Sequence, residues 1–169
     1  SRFTASEINK IILSEKPTKK EIQSAISYIE EKVDGLFLRI LPDEIFSKEM
    51  AWGKKYELQA LFAYEKKTGI KLETGTCYLW DKNDQVLVSP DGENIDKRKG
   101  VEIKCPYTIK NHGHVRRYVK DNESLKNYNE TYYWQVMVNL MVTGFDSWDF
   151  VSYDPRCKAG KRIHIVTIL

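Results

Sequence analysis

The apolar residues of this chain change their spacing along its length, and that change bounds the fold more tightly than any single motif. In the first third the spacing is helical. Thr4-Ala5-Ser6-Glu7 has the pattern of a capping box before the stripe Ile8, Ile11 and Ile12. Thr18-Lys19-Lys20-Glu21 repeats the pattern before Ile22, Ala25, Ile26, Ile29 and Val33, with Gly35 as a stop. A third helix is predicted from about Ser47 to Thr68, ended by Gly69. The period then falls to two. Ile70-Lys71-Leu72 and Cys77 to Trp80 read as strands, Lys82-Asn83-Asp84 as a turn, and Gln85 to Ser89 as the returning strand of a hairpin. Val101-Glu102-Ile103-Lys104 alternates apolar and charged until Pro106 breaks it. Asn129 to Val142 reads as a mostly apolar helix with Gly144 beyond its end, and Trp148 to Tyr153 and Ile163 to Leu169 as closing strands. Helices, a β-meander, a helix and further strands predict an α/β (α+β) fold, a central mixed sheet flanked by helices.

Composition narrows the class. The 169 residues show no repeat or linker and are read as a single domain over residues 1–169. With 41% hydrophobic and 30% charged residues, the chain is globular rather than disordered. No apolar run approaches the roughly 20 residues that span a bilayer, and Ser1-Arg2-Phe3 opens no leader peptide, so a cytoplasmic protein without a membrane partner is expected. Cys77, Cys105 and Cys157 are odd in number and scattered, which argues against a disulfide framework and against four-thiolate zinc or iron–sulfur sites. Net charge is +3, which neither demands nor excludes nucleic acid. Basic residues cluster at Lys97 to Lys99, at Arg116 and Arg117 with Lys120, and at Lys158 to Arg162, while acidic pairs stand at Glu30-Glu31 and Asp43-Glu44. His112 and His114 have no cysteine nearby to complete a zinc site. They read as part of a basic loop with Arg116, Arg117 and Lys120, where a DNA-backbone contact and a plain solvent loop both stand.

One conjunction carries chemistry. Asp91 lies in Ser89-Pro90-Asp91-Gly92, directly after a predicted strand, and Glu102-Ile103-Lys104 follows on the next. On a strand, Glu102 and Lys104 share a face while Val101 and Ile103 point the other way into the core. Two carboxylates beside one ammonium make a hard-oxygen site suited to Mg²⁺ or Mn²⁺, and the lysine is placed to hold or polarise a water. That is the equipment of metal-assisted phosphodiester hydrolysis. E-x-K also occurs at Glu30 and Glu65, but there on predicted helices, where residues two apart do not face each other. Glu57, in Trp52-Gly53-Lys54-Lys55-Tyr56-Glu57, reads as either a third carboxylate of the site or a surface residue. The glycine inside that helix costs roughly 1 kcal/mol against alanine and calls for a reason, such as a close approach of backbone. Gln135 interrupts an apolar run and needs partners, in the site or in the core.

These segments together resemble the PD-(D/E)XK nuclease superfamily, and within it the lambda exonuclease or YqaJ-like viral recombinase family of phage alkaline exonucleases. The resemblance rests on Thr4 to Glu7, Ala51 to Glu57, Ser89 to Gly92, Glu102 to Tyr107, Gln135-Val136 and Tyr153 to Arg156, in family order over nearly the whole chain. It implies a restriction-endonuclease-like core and a processive 5′→3′ exonuclease on linear duplex DNA. The products would be 5′-mononucleotides and a 3′-ended strand handed to a single-strand annealing protein. It also implies a homotrimer threaded by DNA, encoded by a phage or prophage and acting in the bacterial cytoplasm. By resemblance, Asp91 and Glu102 bind two Mg²⁺ ions (Mn²⁺ as the alternative) with the Ile103 carbonyl, and Glu57 reaches the second. Lys104 activates the attacking water and Gln135 positions water or lysine. Ser6 and Ser89 match positions that hold the terminal 5′-phosphate, and Met50 an apolar position that wedges the end base pairs apart; a core methionine is its other reading. Two departures stand out. An arginine that the family carries before the position of Ser1 has no counterpart in Arg2, and residues 14–47 match poorly. Two rival readings are a structure-specific endonuclease and a non-catalytic DNA-end-binding module.

Overall fold

The computed structural model describes residues 2–37 and 47–169, so the Asp43-Glu44 pair lies outside the described residues. The main sheet has the order β4-β5-β6-β7, built from Gly92–Asn94, Lys99–Lys104, Ser147–Tyr153 and Ile163–Ile168. β5 and β6 run parallel, Glu102 beside Phe150 and Lys104 beside Ser152, while the outer pairs are antiparallel. A second sheet, in the order β1-β3-β2, holds Phe3–Thr4, Asn83–Val88 and Tyr78–Trp80. The mixed α/β architecture is thus as expected, with the hairpin placed in a sheet of its own. Among the described residues no helix is long and apolar enough to cross a membrane.

Alternation along β5 and β6 gives the main sheet two different faces. Val101, Ile103, Val151 and Tyr153 pack with Ala60, Leu61 and Tyr64 of helix α2, Lys48–Thr68. Trp148, Phe150, Val166 and Ile168 pack on the opposite side with Val115, Val119, Leu125 and Val136. Those four come from the region of α3 (Ile109–Tyr118), α4 (Asn122–Tyr128) and α5 (Glu130–Thr143). Gly100 lets Trp148 lie flat on β5, since a Cβ there would stand 2.3 Å from the indole ring. Asp149 is buried on the α2 side, where Lys99, Tyr64 and Thr167 all bond to its carboxylate at 2.7–2.8 Å.

The helices that position the site begin and end where their caps dictate. Ser47 accepts from the Met50 N–H at 3.2 Å to start α2, and Gly69, at φ +74°, ends it. Asn129 accepts from the Tyr132 N–H at 3.1 Å to start α5, and Gly144, at φ +64°, ends it. Thr18 and Glu21 form the expected reciprocal box at the start of α1, Lys19–Asp34.

Several expectations are corrected. Thr4 does not cap through the backbone. Its hydroxyl donates to Glu7, whose carboxylate is also held by Lys10 and Lys32 at 3.1 and 2.9 Å, and residues Ala5–Lys10 form a 3-10 helix. The α1 stripe is not buried as a whole. Ala25 and Tyr28 face the body, with Lys10 and Lys32 over the Tyr28 ring, whereas Ile22, Ile26, Ile29 and Val33 are 39–47% exposed. Ile70 to Leu72 is no strand; its backbone is served by the side chains of Thr68, Glu65 and Asn94 instead. The hairpin turn lies one residue earlier, at Asp81-Lys82. The basic segment around His112 and His114 is helix α3 rather than a loop, and β4 and α4 are additional elements.

Candidate active site

The site forms at the C-terminal end of β5, where residues of α2 and α5 reach the same cleft. Glu102 and Lys104 project together from β5 toward α5, as their spacing predicts. Glu102 is 1% exposed, so its charge must be matched inside the protein. Lys104 Nζ donates to Glu102 Oε1 at 2.7 Å and to Gln135 Oε1 at 3.1 Å, and lies 5.0 Å from the centre of the Tyr132 ring. Asn139 Nδ2 reaches Glu102 Oε2 at 3.4 Å. Tyr132, Gln135 and Asn139 recur at helical spacing on α5, which aims one polar line of an otherwise apolar helix at the E-x-K pair. Asp91 comes from the turn before β4 and accepts the Ile103 backbone N–H at 2.6 Å, which docks the Pro-Asp turn against β5.

The carboxylates sense one another. Burial, and then the charge of Glu102, hold the Asp91 carboxyl well above its usual range, with Glu57 adding in the same direction; the Ile103 N–H and Lys104 only partly offset this. Burial works against the charged Lys104, but Glu102 and then Asp91 outweigh it and keep the ammonium above its ordinary value. Burial, with Glu57 and Asp91 beyond it, pushes the Cys105 thiol up to about 12, so Cys105 is an inert wall rather than a nucleophile.

A cleft of about 650 Å³ opens beside this cluster. Met50, Gly53 and Glu57 of α2 line one side, Ile103 to Thr108 the floor, and Tyr128 and Tyr132 the other side. Met50 is 53% exposed there and is not a core residue. Gly53 is not explained by close packing within the protein: a Cβ would meet nothing within 4 Å and would point into open space. Of the expected site residues Met50, Glu57, Ile103 and Lys104 line the cleft, whereas Asp91, Glu102, Gln135, Ser6 and Ser89 stand outside the lining. Ser6 is exposed, 3.2 Å from the Thr4 hydroxyl, and Ser89 donates to the Thr76 carbonyl at 3.2 Å. Arg116 and Arg117 lie on the last turn of α3, also outside the lining.

Sequence reasoning missed Asn139, Tyr132 and a clasp at the cleft mouth. Arg156 pairs with Asp154 at 2.7 Å, donates to the Tyr107 carbonyl at 2.9 Å and lies 4.4 Å from the Trp52 ring centre. It thereby ties α2 to the segment after β5. The spacing of Tyr132, Gln135 and Asn139 on α5 was the available signal for the first two; nothing in the sequence joins Arg156 to Trp52.

Among the described residues no group of three His, Cys, Asp or Glu side chains already stands arranged around a metal ion. The donors nonetheless suit a hard divalent cation. Asp91, Glu102, Glu57 and the Ile103 carbonyl would all offer oxygen donors, and the Asp91 carboxyl, raised by burial first and by the charge of Glu102 second, is one whose ionised form such a cation would favour.

Solved structures share this fold. The alkaline exonuclease LHK-Exo from Laribacter hongkongensis superposes with a TM-score of 0.75 over 99% of this chain and 76% of that one, at 22% identity. Its complex with dAMP gives the same TM-score at 23% identity. A phage related exonuclease from Haemophilus somnus 129PT gives 0.76 over 99% of this chain and 84% of that one, at 16% identity. The likeness establishes the PD-(D/E)XK type of fold. No curated protein sequence matches the chain. The YqaJ-like viral recombinase domain, by contrast, matches residues 1–146, and the chain belongs to that family.

Proposed function

We propose that the chain is a metal-dependent deoxyribonuclease, a 5′→3′ exonuclease that degrades one strand of linear duplex DNA to 5′-mononucleotides and leaves a 3′ single strand for phage-type recombination. The observation that carries this reading is the Lys104 ammonium, suspended between Glu102 and Gln135 at the edge of a cleft. Asp91, Glu102 and the Ile103 carbonyl would hold Mg²⁺ or Mn²⁺, and Glu57 a second ion. When bound, the cations supply positive charge to the phosphate in the transition state and favour ionisation of water.

The remaining work falls to the chain. Two of the three N–H donors of Lys104 are committed to protein acceptors, which leaves one to orient the attacking water or a phosphate oxygen. Gln135 fixes the direction of that donor, and Asn139 holds the second oxygen of Glu102. The Ile103 N–H holds Asp91 against β5, near enough to Glu57 of α2 for the two charges to interact. Met50, exposed in the cleft, would press on a terminal base pair. Double-stranded DNA ends, a homotrimeric ring, a single-strand annealing partner and the bacterial cytoplasm complete the proposal.

A structure-specific endonuclease is the second reading, favoured by one observation: Ser6 and Ser89, assigned to the terminal phosphate, are engaged instead with the Thr4 hydroxyl and the Thr76 carbonyl. Linear duplex labelled at both ends, run beside covalently closed circles with Mg²⁺ and with chelator, separates the two. Metal-dependent release of 5′-mononucleotides from the linear form alone is expected. Nicked circles would establish the endonuclease, and no cleavage of either form would leave a binding module.

A further inference from the structure

Beyond Lys104 a line of aromatic rings leaves the cleft, and the chemistry described above makes no use of it. Tyr132 lies beneath Lys104, and Tyr128 follows 6.4 Å away at an interplanar angle of 44°. His114 of α3 stacks on Tyr128 at 5.1 Å and 30°, and Tyr118, one turn on, lies 4.8 Å from His114 at 59°. The inner two rings line the cleft, while His114 is exposed and Tyr118 is 60% exposed. Tyr132 also packs on Phe150, so the inner end is explained by the core. The outer end is not. Among the described residues neither His114 nor Tyr118 has a hydrogen-bonding partner for its side chain, and the tyrosine offers most of its ring to water.

The outer two rings stand on a helix whose charge has one sign. Helix α3 contains no acidic residue and ends with Arg116 and Arg117 in its last turn. Among the described residues neither arginine is paired with a carboxylate. The Arg117 guanidinium folds back along the helix over Gly113 and lies 5.7 Å from the Tyr118 ring centre. A row of ring faces beside unneutralised cations is the pairing that single-stranded nucleic acid requires, one element for the bases and one for the phosphates. A duplex keeps its interior base faces stacked on one another and offers such a row only the single face at each end.

We propose that His114 and Tyr118, continuing from Tyr128, form a stacking ledge for the unpaired bases of a nucleic acid strand whose phosphates track along Arg116 and Arg117. The inference rests on the nuclease reading only in that the strand passes between ledge and cleft.

Binding is measured by fluorescence anisotropy on the full chain in chelator, so that no strand is cut. The probes are a short oligothymidylate and a base-free deoxyribose-phosphate strand of equal length. Wild type is expected to prefer the base-bearing strand by about tenfold or more. Tyr118→Leu and His114→Leu should each remove most of that preference by weakening oligothymidylate alone, and Tyr118→Phe, which keeps a ring, should retain it. Arg117→Ala should instead weaken both strands alike and lower the salt dependence by about one released ion. Equal binding of the two strands by wild type, or a Tyr118→Leu variant that weakens both equally, would overturn the ledge; the latter result would mark the surface as purely electrostatic. Cleavage of linear duplex in Mg²⁺ is scored separately. A working ledge without cleavage would therefore fail the nuclease reading alone, and cleavage without base preference would fail the ledge alone.

Discussion

Lys104 is bound by two acceptors, Glu102 and Gln135, and lies over the Tyr132 ring. Lys104→Ala and Asp91→Asn are expected to lower metal-dependent DNA cleavage by about 10²-fold or more while DNA binding in chelator persists; full activity in either purified variant would remove the assignment. Gln135→Ala should cost less, about tenfold, because Glu102 still holds the ammonium. Gly53 poses a different test. Its helical position and the empty space around it mean that alanine should stabilise the fold by about 0.5–1 kcal/mol, read as a higher melting temperature. The same methyl group would project into the cleft, so weaker binding of substrate should accompany the gain. A stabilised variant with unaltered KM would show that substrate does not approach the helix there.

Among the elements, legibility followed the strength of local signals. Helices α2 and α5 were readable because each has a side-chain cap at one end and a left-handed glycine at the other. Strand β5 was readable because its alternation separates Val101 and Ile103 from Glu102 and Lys104, which is also why the E-x-K pair stood out from its two helical copies. The rest lacked such marks. β4 has three residues, Gly92–Asn94, too few to show a period. Helix α3 has no side-chain cap and carries Gly113 in its middle, so only packing of His112 and Val115 against the sheet declares it helical. The Arg156 clasp joins residues more than a hundred positions apart. Arg156→Lys is predicted to cost about 1–2 kcal/mol in thermal unfolding and to raise KM, since lysine cannot span Asp154, the Tyr107 carbonyl and the Trp52 face together.

For the whole molecule, two consequences follow from how α3 and the crossover are built. His112 is fully buried between α3 and β6. Its Nε2–H donates to the Lys161 carbonyl at 2.9 Å, which leaves Nδ1 to accept from Ser152 at 2.8 Å. Burial lowers its pKa below the ordinary imidazole value, against the pull of the Lys161 carbonyl and Asp154. The unfolded chain therefore binds this proton more readily than the native one, and folding stability should be flat above about pH 7 and fall as pH drops through about 6.5. Denaturant unfolding at a series of pH values should show that slope in wild type and lose it in His112→Gln. The second consequence concerns timing. β5 and β6 are parallel neighbours, so residues 105–146 form a crossover that must be made, and returned to the sheet, before the two strands can pair. Asp91, Glu102 and Lys104 precede that crossover, but Gln135 and Asn139 arrive within it, and the strand that clamps β5 comes after it. A nascent chain thus emerges carrying its reactive groups long before it can assemble them. Under the proposed activity, the polypeptide is harmless to DNA until β6 has been made and has closed on β5.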